Sequence, residues 1–174
     1  KEGIEYKGVL YAGIMVTSEG PKTLEFNVRF GDPETQAILP RLKSDLVEVM
    51  LAAADGRLSK VKDLDWDSRS CVCVVVASKG YPGEYEKNKE ISGLKDAAQL
   101  KDIAIFHAGT RKKVVNDPGQ KQDVEFFTDG GRVLGVTGLG EGVKEAIDKT
   151  YQAVGKISFE GMQYRRDIGR KALI

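Results

Sequence analysis

Thr23-Leu24-Glu25-Phe26-Asn27-Val28-Arg29-Phe30 alternates strictly between polar and apolar residues, and Gly31-Asp32-Pro33-Glu34 breaks the pattern. Side chains of a strand point alternately to its two faces. Leu24, Phe26, Val28 and Phe30 therefore share one face, read as core. Thr23, Glu25, Asn27 and Arg29 share the other. Upstream, Val9 to Thr17 is strand-like, with Leu10, Ala12, Ile14 and Val16 on one face, and Ser18-Glu19-Gly20-Pro21 is a turn. The two segments predict a hairpin. Downstream, Asp32 reads as a helix cap with Pro33 at the first helical position. Helical spacing continues through Leu39, Leu42, Leu46, Val49, Met50 and Ala53. Pro40 splits this run into a short turn and a main helix from Ser44, and Gly56 ends it.

Ser59 to Ser68 is polar apart from Val61, Leu64 and Trp66, and is the expected domain boundary. Cys71 to Ala77 opens the second part. Its continuous apolarity predicts a strand buried on both faces. Ser78-Lys79-Gly80-Tyr81-Pro82-Gly83 is a loop, Ile103 to His107 a short strand, and Lys112 to Asp123, with Asn116-Asp117-Pro118-Gly119, a polar loop. Val124 to Thr128 and Arg132 to Leu139 are expected as strands around the turn Asp129-Gly130-Gly131. Val143, Ala146, Ile147, Tyr151 and Val154 fall on one face of a helix. The tail, Gly161 to Gly169, is basic at Arg165-Arg166. The fold class expected is α+β: an antiparallel hairpin plus helix, then a mixed α/β part rich in hairpins.

Composition narrows the function classes. The 174 residues carry 27 Lys+Arg against 26 Asp+Glu, a formal charge of +1. This balance argues against a nucleic-acid partner, which favours a clear basic excess. The longest apolar run, Cys71 to Ala77, falls far short of the ~18 residues of a membrane helix. Two cysteines and one histidine, His107, supply neither a disulfide framework nor a zinc site. Reduced cysteines suggest a cytoplasmic protein. The chain opens Lys1-Glu2-Gly3 rather than with Met, and is expected to be a piece of a longer protein.

Several constellations bear on chemistry. A solvated strand face needs only polar residues; it does not need a carboxylate, an amide oxygen and a guanidinium in line. Glu25 and Asn27 offer two hard oxygen donors, the kind Mg²⁺ takes alongside substrate phosphates. Arg29 beside them suits an anionic oxygen. Asp32 can serve as helix cap, as partner of a substrate amine, or as both. Arg165 and Arg166 read either as solvated charge or as a phosphate grip. The turn Lys79 to Gly83 reads as structure, with backbone N–H groups open to an anion. His107 reads as the end of a strand. No Walker pattern is present, and Gly135, Gly138, Gly140 and Gly142 do not form a dinucleotide fingerprint.

Tyr11-Ala12-Gly13, Gly20-Pro21-Lys22, Leu24 to Gln36, Leu39-Pro40-Arg41-Leu42, Ala77 to Gly83, Phe106-His107-Ala108-Gly109-Thr110, Gly130 to Leu134 and Tyr164 to Gly169 together resemble, in the same order, the phosphoribosylamine–glycine ligase family (glycinamide ribonucleotide synthetases) of the ATP-grasp superfamily. The resemblance implies that residues 1–60 are the C-terminal part of an ATP-grasp domain and 61–174 the family's C-terminal domain. It implies an ATP-dependent ligase of purine biosynthesis, joining glycine to 5-phosphoribosylamine through glycyl phosphate, with Mg²⁺ or Mn²⁺. Glu25 and Asn27 would be metal ligands, Arg29 catalytic, and Asp32, Arg165 and Arg166 substrate-binding. The nucleotide-holding N-terminal half of the same enzyme would be a partner, without which the chain is inactive. The alternatives are an inert folding fragment and a metal-dependent phosphosugar-binding module. One departure from the superfamily is that Leu10 to Thr17 contains no acid, and Gly13 sits where a further metal ligand is often found. Another is a loop from Lys112 to Asp123 that looks longer than usual.

Overall fold

The computed structural model describes residues 3–115 and 123–173. The chain divides into two compact units, Lys1–Asp67 and Ser68–Ile174.

The first unit is built on an antiparallel hairpin, β1 (Tyr11–Thr17) and β2 (Gly20–Asn27). Two short turns of helix follow, α1 (Thr35–Ile38) and a 3-10 turn at Leu39–Arg41 that carries Pro40. The proline ends α1 and starts the tighter turn, as its missing N–H requires. Helix α2 (Leu46–Ala54) begins at Asp45, whose Oδ1 accepts from the Val47 and Glu48 N–H groups at 2.8 and 3.4 Å. Gly56, at φ +68°, turns the chain off its end.

Three expectations for this unit are corrected. Strand β2 stops at Asn27, so Val28, Arg29 and Phe30 lie beyond the ladder. The register shifts between Gly13 and Ile14: Gly13 faces Glu25, Ile14 faces Thr23, and Leu24 is the extra residue of a bulge. Directly paired residues share a face, so Thr23 moves to the face opposite Glu25. The apolar side of the hairpin is bare, with Leu24 and Phe26 64% exposed, Val28 72% and Val16 84%. No other described element of this unit covers it.

The second unit holds the core. Its four-stranded antiparallel sheet has the order β4 (Ile103–His107), β7 (Arg132–Gly140), β3 (Ser70–Ser78), β8 (Met162–Tyr164). Helix α4 (Val143–Val154) packs on it, placing Ala146, Ile147, Ala153 and Val154 against Val72, Val74 and Val76. Gly138 and Gly140 let the helix approach closely, since a Cβ at Gly138 would meet the Thr150 Oγ1 at 2.6 Å. Burial along β3 alternates: Val72, Val74 and Val76 are buried, while Cys71, Cys73 and Val75 are half-exposed. The expectation of burial on both faces is thus corrected.

The hairpin expected around Asp129–Gly131 does not form either. Strand β6 (Asp123–Thr128) pairs with β5 (Thr110–Val115), whereas β7 pairs with β3 and β4. The segments β4–β5 and β6–β7 run side by side as one long antiparallel ribbon, bent where Gly109 crosses Gly130. A Cβ on either glycine would come within 2.5–2.8 Å of the other's Cα. Lys112 to Val115 and Asp123, expected in a loop, belong to β5 and β6. The rest of the expected loop, 116–122, lies outside the described residues. The sequence reading also missed α3 (Leu94–Ala98) and β8, which are five and three residues long.

Candidate functional site

In the first unit, Glu25 and Asn27 share a face of β2, across from Gly13 and Tyr11 respectively. A Cβ at Gly13 would stand 3.1 Å from the Glu25 Cγ, so the glycine makes room for the glutamate to lie over the neighbouring strand. An acid at position 13 would set two carboxylates directly opposite one another, which is unfavourable. The missing acid on β1 is therefore matched by the local geometry.

Two residues that the sequence reading did not single out join this face. The Tyr11 hydroxyl donates to the Glu34 Oε1 at 3.3 Å. Desolvation, the adjacent Glu34 carboxylate and then the charge of Glu25 hold the Tyr11 hydroxyl above the usual tyrosine range. Glu34 is brought in by the tight turn at Gly31, whose carbonyl accepts from the Thr35 N–H at 3.1 Å and from the Thr35 hydroxyl at 2.5 Å. The result is an amide, a phenol and two carboxylates gathered at one end of the hairpin. Tyr11 was findable from the pairing register; Glu34 needed the turn.

Arg29 lies just past the strand, with its Nη1 donating to the Phe30 carbonyl at 2.9 Å. Asp32 is exposed, and its Oδ1 accepts from the Gln36 Nε2 at 2.8 Å. The N-cap of α1 is Glu34, with no side-chain cap, so the expected capping role of Asp32 is corrected.

In the second unit, Arg165 and Arg166 follow β8 directly. Arg165 forms a two-pronged pair with Asp167, Nε to Oδ1 at 2.9 Å and Nη2 to Oδ2 at 2.5 Å. The guanidinium of Arg166 lies 5.2 Å from the centre of the Tyr164 ring. His107 closes β4 as expected; its ring packs on Phe126 at 4.4 Å, its Nδ1 is 2.9 Å from the Thr110 hydroxyl, and burial pushes its pKa down. In the loop after β3, the Tyr81 ring fills the space a side chain at Gly131 would need, and the Tyr81 carbonyl accepts from Gln163. The groove beside that loop, about 550 Å³, is flanked by Glu86 and Glu160, both paired with Lys89 at 2.7 and 3.0 Å. These carboxylates disfavour an anion there.

Among known families, the phosphoribosylglycinamide synthetase C domain matches residues 71–171, and the ATP-grasp (A) domain of the same synthetase matches residues 1–35. The chain belongs to the phosphoribosylglycinamide synthetase family. A phosphoribosylamine–glycine ligase from Caldanaerobacter subterraneus subsp. tengcongensis is 54% identical over 97% of this chain and 37% of its own length. The trifunctional purine biosynthetic protein adenosine-3 of Gallus gallus is 49% identical over 99% of this chain and 16% of its own length. The crystal structure of the phosphoribosylamine–glycine ligase of Thermotoga maritima superposes with a TM-score of 0.72 at 37% identity, covering 95% of this chain and 38% of that one. The chain thus spans a little over a third of the length of the single-function synthetase relatives it matches.

Proposed function

We propose that this chain is part of an ATP-dependent ligase that joins glycine to 5-phosphoribosylamine in purine biosynthesis. The observation that carries the reading is the face of β2 where Glu25 and Asn27 stand together, kept open by Gly13. A carboxylate and an amide oxygen suit a hard divalent cation, Mg²⁺ or Mn²⁺, and Glu25 and Asn27 are the residues that would hold it. Such an ion neutralises charge on the nucleotide phosphates during phosphoryl transfer.

In this reaction the glycine carboxylate attacks the γ-phosphorus of ATP, the bond to ADP breaks, and glycyl phosphate forms. The amine of phosphoribosylamine then attacks the glycyl carbonyl, an amide bond forms, and phosphate and the amine proton leave. Arg29 offers fixed positive charge to the transferring group; its side chain is exposed and bonded only to a neighbouring carbonyl among the described residues. Asp32, exposed at the turn, is assigned to the substrate amine. Arg165 and Arg166 are assigned to the ribose phosphate. None of these side chains needs to act as a nucleophile, since positioning and charge carry this chemistry.

The first unit on its own has an uncovered apolar face, and the remaining length of the relatives is its natural completion. The chain alone is accordingly assigned no activity. A reducing, cytoplasmic setting is part of this reading. The test is ADP release with glycine and phosphoribosylamine, measured for this chain, for the complete enzyme and for its E25Q variant. We expect no turnover from the chain, and a loss of 10²-fold or more in kcat for E25Q, with a melting temperature unchanged because Glu25 is exposed. Normal activity of E25Q with a lowered melting temperature would make Glu25 structural. Turnover by the chain near 1 s⁻¹ would overturn the assignment of inactivity.

A further inference from the structure

We propose that, of the two tail arginines, Arg166 is the principal grip on the phosphate monoester, and that Tyr151 is the positioning residue that holds it ready. This deepens the reading of the tail given above and rests on it. Tyr151 stands on α4. Its hydroxyl donates to the Arg165 carbonyl at 2.7 Å and accepts from the Ile168 N–H at 3.1 Å. A single phenol therefore pins both ends of the segment 165–168. The far end is anchored a second time. Ile168 packs against Val72, Ala146 and Ile147, and Gly169, at φ +81°, lets the chain close on the helix where a Cβ would stand 2.9 Å from the Ile147 Cδ1.

Within this fixed segment the two arginines differ. The fork of Arg165 is already taken by Asp167 on two of its nitrogens, and Arg165 holds the Asp167 carboxyl below the usual carboxylate range. An incoming phosphate could use the Nε–Nη2 edge of Arg165 only by displacing the Asp167 carboxylate, which leaves it the weaker edge at Nη1. Arg166 is exposed and has no carboxylate partner among the described residues. Its guanidinium rests over the Tyr164 ring, which in turn lies 6.2 Å from the Tyr151 ring. A stacked guanidinium keeps its N–H groups directed outward in its own plane, where they can receive two oxygens side by side. The segment is thus ordered before the ligand arrives, which lowers the entropy cost of binding.

The experiment compares two ligands of the complete enzyme: the product, glycinamide ribonucleotide, and the same molecule without its phosphate. The ratio of the two dissociation constants reads the phosphate contribution alone. We expect R166A to lower this ratio on the order of tenfold or more, and R165A to lower it less than threefold. Y151F should lower it several-fold while leaving the dephosphorylated ligand and ATP within twofold. G169A, which loosens the same segment from its other anchor, should act in the same direction and serves if Y151F does not fold. A ratio abolished by R165A but retained in R166A would overturn the assignment of Arg166. A change in Y151F or G169A shared equally by both ligands, or no change in either variant, would make Tyr151 merely structural. A ratio near one in the unaltered enzyme would instead sink the underlying reading of the tail.

Discussion

Asp102 shows how a single carboxylate can join distant parts of a sequence. It accepts from the Lys149 Nζ at 2.8 Å and from the Arg69 Nη1 at 2.9 Å, with its side chain 15% exposed. Lys149 also meets Glu145 at 2.9 Å. The Lys149 and then the Arg69 hydrogen bonds hold the Asp102 carboxyl below the usual range, and Lys149 does the same for Glu145. A carboxyl whose folded pKa is depressed stabilises the fold above its unfolded pKa, about 3.9 for Asp and 4.3 for Glu. That contribution is lost as pH falls through the folded value. D102N should therefore lower the melting temperature at pH 7 and flatten its fall between about pH 4 and pH 2. An unchanged acid limb in D102N would show that Asp102 does not drive acid unfolding. At this scale the sequence was partly legible. Glu25 and Asn27 announced themselves because strand alternation puts i and i+2 on one face. Tyr11, Glu34 and Asp102 did not, because each meets its partners only through a ladder, a turn or a packed helix that no local spacing encodes.

Among the elements, those set by strong local rules were readable. Pro40 ended a helix, Gly56 closed another, and the apolar spacing of Val143 to Val154 gave α4 within a residue. Most strands were legible, β5 and β8 apart; the pairing of β1 with β2 was readable, that of β6 and β7 was not. Asp129-Gly130-Gly131 has the composition of a hairpin turn, yet it bends a ribbon instead. What decides is the close crossing with Gly109, twenty-one residues away, which pairs β6 with β5 and frees β7 for the main sheet. The crossing makes a specific prediction. An alanine at either glycine must push the two backbones apart, and we expect each single change to destabilise the second unit by about 1–3 kcal/mol. Once they are apart, the second alanine should cost little, so the double variant should fall well short of the sum. Equal and additive losses in denaturant unfolding would mean that the two positions act separately.

For the molecule as a whole, the chain divides into two units after Asp67. The location of the core was not legible. Leu24, Phe26 and Val28 have the pattern of core residues and are exposed, because a strand encodes which face must be covered and not what covers it. Apolar burial is the main source of resistance to opening, and here it is concentrated around Val74, Val76, Leu134 and Val136. The contrast sets two rates of solvent access. Backbone amides of β3 and β7 should exchange with deuterium only when the second unit unfolds globally, whereas those of β1 and β2 should exchange by small local openings. We expect protection to differ by roughly 10³-fold or more in the isolated chain. Equal protection in the two hairpin strands and the central sheet would refute this. In the complete enzyme the slow class should spread into β1 and β2, so that the deuterium uptake of one hairpin becomes a direct gauge of whether its missing cover is in place.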